Sequence, residues 1–139
     1  MSINKKIIKK FYNSLENSDF DSLNELWHDD VTLTLIGSTP VSGDFKGKDS
    51  AISLIEKGVL ANLQFDKVIF ANEWSIIAAE NDIVVGTMTL QGKSIYNKDY
   101  NQIYCQIFTI KDNKIFQLHE FFDTALVETS LYDKEYLEK

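Results

Sequence analysis

The sequence predicts an α+β fold built on a mostly antiparallel sheet, and three observations carry that expectation. Apolar residues recur at helical spacing through the first part of the chain, whereas β-branched and aromatic runs fill the second. Those runs follow one another through short polar turns, and strands joined in this way pair antiparallel. At 139 residues and 44% hydrophobic composition, the chain is expected to form one domain over 1–139 and to bury a core without covalent staples.

Ile3, Ile7, Ile8, Phe11, Tyr12 and Leu15 share one helical face while Lys5, Lys6, Lys9 and Lys10 share the other. This pattern predicts an amphipathic helix from about residue 3 to 17, with the lysines as its solvated side. Asn17-Ser18-Asp19 ends it. A short second helix follows, capped either by Asp19 or by Ser22, whose spacing to Glu25 fits a capping box. Phe20, Leu23, Leu26 and Trp27 form its buried face. His28-Asp29-Asp30 closes that helix, and residues 31–36 alternate as a strand. Residues 37–48 read as a loop, either a plain connection or a lid. Asp49 or Ser50 can cap a third helix whose apolar positions are Ile52, Ile55, Val59 and Leu60. Strands are then expected over 65–72, 74–80 and 83–91, with Asn81-Asp82 as a hairpin turn and 92–99 as a polar connection. A last short helix or tail covers 124–132.

The rest of the chain is organised around residues 100–123, two long strands joined at Lys111-Asp112-Asn113-Lys114. Gln102, Gln106, His119, Glu120 and Asp123 interrupt otherwise apolar arms, and buried polar groups need partners or a purpose. The turn decides which of them share a face. A two-residue type I′ loop sets Lys111 opposite Lys114, Gln106 opposite His119 and Gln102 opposite Asp123. A type I turn with Asn113 as a left-handed bulge residue instead sets Gln106 opposite Leu118 and Tyr104 opposite Glu120. Asn and Asp suit either turn, so local sequence leaves both open.

Composition removes several function classes. A net charge of −7 argues against nucleic acid or an anionic membrane as partner, since both require clustered basic residues. Cys105 is the single cysteine, which excludes an intramolecular disulfide and a cysteine metal cluster. No apolar run approaches the roughly 20 residues of a membrane span, and Lys9-Lys10 interrupts any signal-peptide core, so a soluble cytoplasmic protein is expected. The segment Gly43-Asp44-Phe45-Lys46-Gly47 lacks phosphate-loop spacing, and no serine elbow is present. His28 and His119 lack a second histidine at ligand spacing; the His28-Asp29-Asp30 run reads as a polar helix end, and no metal is expected.

What remains suits an enclosed, partly polar cavity. Tyr12 and Trp27 turn inward from helix positions, and the paired strands supply Tyr104, Gln106, Glu120 and Phe122. A carboxylate walled by aromatics loses solvation, its pKa rises, and it can then exchange a proton near neutral pH. Glu120 is the residue to which that reasoning applies. Bonding to a tyrosine hydroxyl or a backbone group would be its purely structural role.

Residues 17–23 (Asn-Ser-Asp-Phe-Asp-Ser-Leu) continuing to Leu26 and His28-Asp29-Asp30-Val31, the 43–51 segment, Tyr100-Asn101-Gln102 through Tyr104-Cys105, Phe108, Asp112-Asn113-Lys114-Ile115 and Glu120-Phe121-Phe122-Asp123 carry a further signal. Together they resemble the SnoaL-like polyketide cyclases and ketosteroid-isomerase-like proteins of the nuclear transport factor 2-like superfamily. The resemblance implies a cone, a cystatin-like α+β barrel in which a curved, mostly antiparallel sheet wraps three helices of the N-terminal half and encloses a pocket. It also implies a homodimer through the outer sheet face.

In the cyclases a histidine and an aspartate fourteen residues apart form the acid/base pair, and the matching positions here are Gln106 and Glu120. That pairing requires the bulged turn. The isomerases place their catalytic aspartic acid at what is also Gln106. An amide cannot accept and return a proton, so Gln106 would orient Glu120 or a substrate carbonyl. The paired aspartates and arginine of limonene epoxide hydrolases have no counterpart, because the strands here contain no arginine.

The resemblance thus implies a cofactor-independent isomerase, cyclase or dehydratase acting on a small hydrophobic or aromatic carbonyl compound. Glu120 and Gln106 would be catalytic, with Tyr12, Trp27, Tyr104, Gln102, Phe122 and Leu118 binding the ligand. The alternative is a non-catalytic module of the same fold that binds a ligand or only dimerises. In the bulged register the opposite face carries Ile103, Cys105, Ile107, His119 and Phe121, too apolar to stay wet, which supports a homodimer.

Overall fold

A computed structural model describes residues 2–137. Helix α1 spans Ile3–Glu16, capped by Ser2, whose hydroxyl accepts the Lys5 amide, and it buries Ile7, Ile8, Phe11, Tyr12 and Leu15. Helix α2, Phe20–Glu25, is capped by Asp19 rather than Ser22: Asp19 accepts both the amide and the hydroxyl of Ser22. Trp27 is buried as expected but opens strand β1, Trp27–Leu35, instead of closing the helix. The Ile115 amide donates to the Leu26 carbonyl and Trp27 pairs with Ile115, so the chain enters the sheet earlier than its alternation signals. His28 consequently lies on a strand, and its ring faces Asp112 at 3.3 Å.

The loop after β1 contains a short strand β2, Gly43–Lys46. Helix α3 starts after Gly47, with no side-chain cap from Asp49 or Ser50, and spans Lys48–Ser53. It then widens into a π turn, Leu54–Val59, and tightens into a 3₁₀ turn, Leu60–Asn62. The Gly58 carbonyl accepts from Asn62 and from Tyr132. The strand expected over 65–72 does not form. A 3₁₀ turn takes Phe65–Lys67, a single bridge joins Ile69 to Gln91, and Ala71 at φ 47° bends the chain away before pairing can extend.

Strands β3 (Trp74–Glu80), β4 (Ile83–Leu90), β5 (Gln102–Lys111) and β6 (Lys114–Phe122) follow the predicted order. A short helix α4, Thr124–Leu126, runs on as a π turn over Val127–Leu131. The sheet order is β2-β1-β6-β5-β4-β3, antiparallel throughout except for the parallel β1–β6 pair. The fold is thus α+β with a curved six-stranded sheet against helices of the N-terminal half. The sheet stays open, ending at β2 and β3, rather than closing as a barrel.

The β5–β6 register differs from both turn readings. Asp112 and Asn113 both have positive φ and Lys111 pairs with Lys114, which is the two-residue type I′ loop and not the bulged turn. A bulge sits further along, between the Ile110–Ile115 and Thr109–Gln117 pairs, where Phe116 is the extra residue. It advances β6 by one position, so Gln106 faces Glu120 and Tyr104 faces Phe122. Ile103, Cys105, Ile107, His119 and Phe121 take the other face, as the alternation of burial along β5 records.

Gly86 of β4 pairs with Gln106 on the inner face, and the Tyr12 phenol lies directly on it. A Cβ at this position would overlap the Tyr12 hydroxyl and meet two of its ring carbons at 2.9 and 3.0 Å. Gly86→Ala is therefore expected to cost about 1–3 kcal/mol by overpacking. Urea denaturation should show a lower midpoint at unchanged slope; an undisturbed midpoint would mean that Tyr12 moves freely.

Candidate functional site

The site grows from the bulge-set pairing of two polar side chains on the inner sheet face. Gln106 is fully buried, and its Nε2 donates to Glu120 Oε2 at 2.9 Å. From α1 the Tyr12 hydroxyl donates to Gln106 Oε1 at 2.8 Å. The phenol is held by stacking on Trp74, with ring centroids 4.9 Å apart, and by edge contacts with Phe11 and Phe108. The chain Tyr12→Gln106→Glu120 therefore has a fixed sense. The hydroxyl occupies the amide oxygen, so the amide nitrogen must face the carboxylate.

These groups border a partly open cavity of about 90 Å³, walled among others by Phe11, Leu23, Trp27, Met88 and Leu118. Its roof is the irregular segment after α3, through Leu54, Ile55, Val59 and Leu60. The polar side chains in the wall, apart from the Trp27 indole, are Tyr104, Gln106 and Glu120, and Glu120 is its one carboxylate among the described residues. Glu120 Oε1 makes no hydrogen bond yet is not sealed off, since no fully buried side-chain oxygen among the described residues lacks a partner.

Burial pushes the Glu120 carboxyl up to about 7, while the hydrogen bond from Gln106 pulls the other way. Burial likewise raises the Tyr104 and Tyr12 phenols, aided respectively by Tyr100 and by the charge of Glu120. Both stay neutral donors across the physiological range.

The structure gathers Glu120, Gln106, Trp27, Tyr104 and Leu118 around the cavity. It leaves Tyr12, Gln102 and Phe122 outside the wall, contrary to their reading as ligand contacts. Tyr12 is fully buried behind Gln106, and Gln102 is tied to the backbone of Asp123. Phe122 packs on Tyr104. Asp123 caps α4 through the Leu126 amide, and His119 stacks on Phe121 outside. The 37–48 loop does not border the cavity; the roof segment does so instead. Sequence reading missed that roof, Tyr100 and Gly86, although an isolated glycine within a strand pattern signals close approach. No group of three or more His, Cys, Asp or Glu residues that could hold a metal occurs among the described residues, and none of their helices is long and apolar enough to cross a membrane. A larger groove of about 740 Å³ between α1, α2 and the β5–β6 turn is an open surface depression remote from these groups.

An open curved sheet wrapped on helices around a mostly apolar cavity is a fold shared with proteins described as NTF2-like and as cystatin-like. Within it, this chain belongs to the SnoaL-like domain family, which it matches over residues 8–118. No curated protein sequence matches. An NTF2-like protein of unknown function from Burkholderia pseudomallei superposes with a TM-score of 0.77 at 16% identity, covering 94% of this chain and 98% of that one. TerC co-crystallised with polyporic acid gives 0.75 at 18% identity, with 94% and 99% covered. An LEH-like epoxide hydrolase from M. tuberculosis gives 0.63 at 20% identity, with 94% and 90% covered. At these identities the likeness is one of fold.

The raised carboxyl has a consequence for stability. The native state holds the Glu120 proton more tightly than the unfolded chain does, so its contribution is complete below pH 4.5 and is lost as pH rises through about 7. Glu120→Gln removes that loss. The variant should gain on the wild type across this window, by up to about 3 kcal/mol above pH 7. Urea denaturation of both proteins over a pH series measures the difference, and a difference that stays flat with pH would contradict the assignment.

Proposed function

We propose that this protein transfers a proton on a small, largely apolar carbonyl compound without a cofactor, as an isomerase, cyclase or dehydratase, with Glu120 as its acid/base group. The observation that carries this is a single carboxylate in an apolar cavity, titrating near neutrality, with one oxygen held by Gln106 and the other unbonded. Glu120 Oε1 takes a proton from the carbon next to the carbonyl. As that C–H bond breaks, its electron pair forms a new C=C bond and the carbonyl π pair moves onto oxygen, giving an enolate. Tyr104 supplies a hydrogen bond to that oxygen. Where the substrate carries a further C=C bond conjugated with the enolate, return of the proton to the far carbon of that dienolate shifts the double bond and isomerises the substrate. Gln106 and Tyr12 are positioning residues. The binding of polyporic acid by TerC and the epoxide hydrolase chemistry of the M. tuberculosis neighbour support small-molecule work in this fold.

Cavity size limits the ligand. A cavity of about 150 Å³ holds benzene, so the 90 Å³ here favours a smaller molecule, and an aromatic one requires the Leu54–Asn62 roof to move outward. Acetone is small enough to serve as probe. Exchange of its methyl protons in D₂O, followed by NMR, should be accelerated by the protein and should fall as pH drops below about 7, where Glu120 becomes protonated. Glu120→Gln should slow it by about 10²-fold or more. The second reading, a non-catalytic ligand-binding or dimerisation module, draws on the amide at Gln106 and would gain if acetone bound without any exchange.

The outer face supports a homodimer. Ile103 is 67% exposed there, beside Cys105, Ile107 and Phe121, and the outward side chains of β4 to β6 between Ile83 and Phe121 include no acidic group in a chain of net charge −7. Two copies can thus approach without like-charge repulsion. Sedimentation should show a dimer for the wild type and a monomer for Ile103→Lys; a wild-type monomer at high concentration would refute it.

A further inference from the structure

Exposure along the cavity wall locates its opening. Every wall residue is buried except Glu120 and four apolar ones, Phe20 at the start of α2 and Ile55, Val59 and Leu60 in the roof, which are half-buried. Solvent therefore enters between α2 and the roof, whereas Gln106 and Glu120 stand on the sheet strands β5 and β6. An aromatic cluster marks this opening. Phe20 meets Phe70 edge to face at a centroid distance of 5.4 Å and Phe65 at 6.2 Å, and Phe65 and Phe70 are 5.8 Å apart. Phe70 is buried in the cavity wall, but Phe65 lies outside that wall and is 54% exposed. The apolar wall thus continues outward, ring against ring, from the cavity to the surface. Binding sites are lined in this way, and a wet aromatic face beside an apolar opening is area that a ligand can cover.

A ketone much longer than acetone exceeds the 90 Å³ of the cavity, so with its carbonyl at Glu120 the remainder leaves through the opening. A chain leaving there passes over Phe20 and reaches Phe65. We infer that Phe20 and Phe65 form an outer subsite for the apolar tail of the substrate, and that the ligand class is a ketone with an apolar chain several carbons long, carbonyl inward. This deepens the proposed reading of the site and rests on it for the inward carbonyl. It adds the length and polarity of the rest of the molecule. Phe65 touches no reacting atom; it selects among substrates by covering their tails, and the two readings can fail separately.

The test is an NMR titration of the protein with acetone, 2-pentanone and 2-heptanone. Affinity should rise by about two- to fourfold with each added CH₂ as the tail leaves water. Nuclear Overhauser contacts should join the terminal methyl of bound 2-heptanone to the Phe65 ring. Phe65→Ala should weaken 2-heptanone by roughly tenfold and leave acetone unchanged, which also shows that the variant is folded. Phe65→Leu should recover most of that loss. Glu120→Gln should abolish proton exchange yet keep the rise with chain length. A rise with chain length in a wild type that exchanges no protons would leave the outer subsite standing and refute the proposed chemistry. Exchange with affinities flat from acetone to 2-heptanone would do the reverse. Equal effects of Phe65→Ala on both ketones, no effect on 2-heptanone, or failure of all three ketones to bind would each overturn the inference.

Discussion

The arrangement of this site depends on one constraint: a carboxylate inside an apolar cavity must be held without being neutralised by a cation. The chain contains no arginine, and no lysine among the described residues lines the cavity. What holds Glu120 is an amide, itself held by a phenol, and each link satisfies the next. Such a chain pulls the carboxyl pKa down far less than an ion pair would, so burial prevails and titration falls near 7. Gln106 thereby has a reason to be an amide. It fixes one carboxylate oxygen without competing for the proton.

That geometry traces back to one extra residue. With the type I′ turn alone, Gln106 would face His119 and Glu120 would lie on the outer surface. The bulge at Phe116 shifts β6 by one position and turns the carboxylate inward. His28 and Phe116 meet edge to face next to this bulge, and Lys111 sits over the Phe116 ring, so the extra residue is packed rather than loose. Gly86 completes the construction by leaving room for Tyr12 on the neighbouring strand.

Local periodicity made most of this fold legible. The amphipathic spacing of Ile7, Ile8, Phe11 and Leu15 locates α1, and the alternation through residues 102–122 locates β5 and β6. Glu120 and Gln106 were legible as polar residues on apolar arms, and the family likeness matched them to acid/base positions. The bulge was not legible, because Phe116 carries no turn or glycine signal and its placement is decided by packing across to β1. The strand expected over 65–72 failed for a comparable reason: one left-handed residue, Ala71, breaks a run whose composition is right. The buried contacts of Tyr100 with Gln102 and Tyr104 appear only once the strands are placed around it.

Two hydrogen-bond chains converge on the cavity. One runs from Tyr12 through Gln106 and ends on an acceptor, the Glu120 carboxylate. The other runs from Gln102 through Tyr100 to the Tyr104 hydroxyl, where either phenol can donate. Each begins at a group fixed by the fold, in stacking for Tyr12 and in the β5–β6 backbone for Gln102. The first chain cannot reverse without stranding the Tyr12 proton and facing two oxygens against each other. On the proposed reading, the ligand that suits a carboxylate in an otherwise apolar space has an acidic C–H next to a polarisable oxygen. An enolisable carbonyl has both within a few bonds, and it requires no counter-charge from the protein at rest. On that same reading a simple hydrocarbon would suit this cavity poorly, because it would cover Glu120 Oε1 and give it no partner.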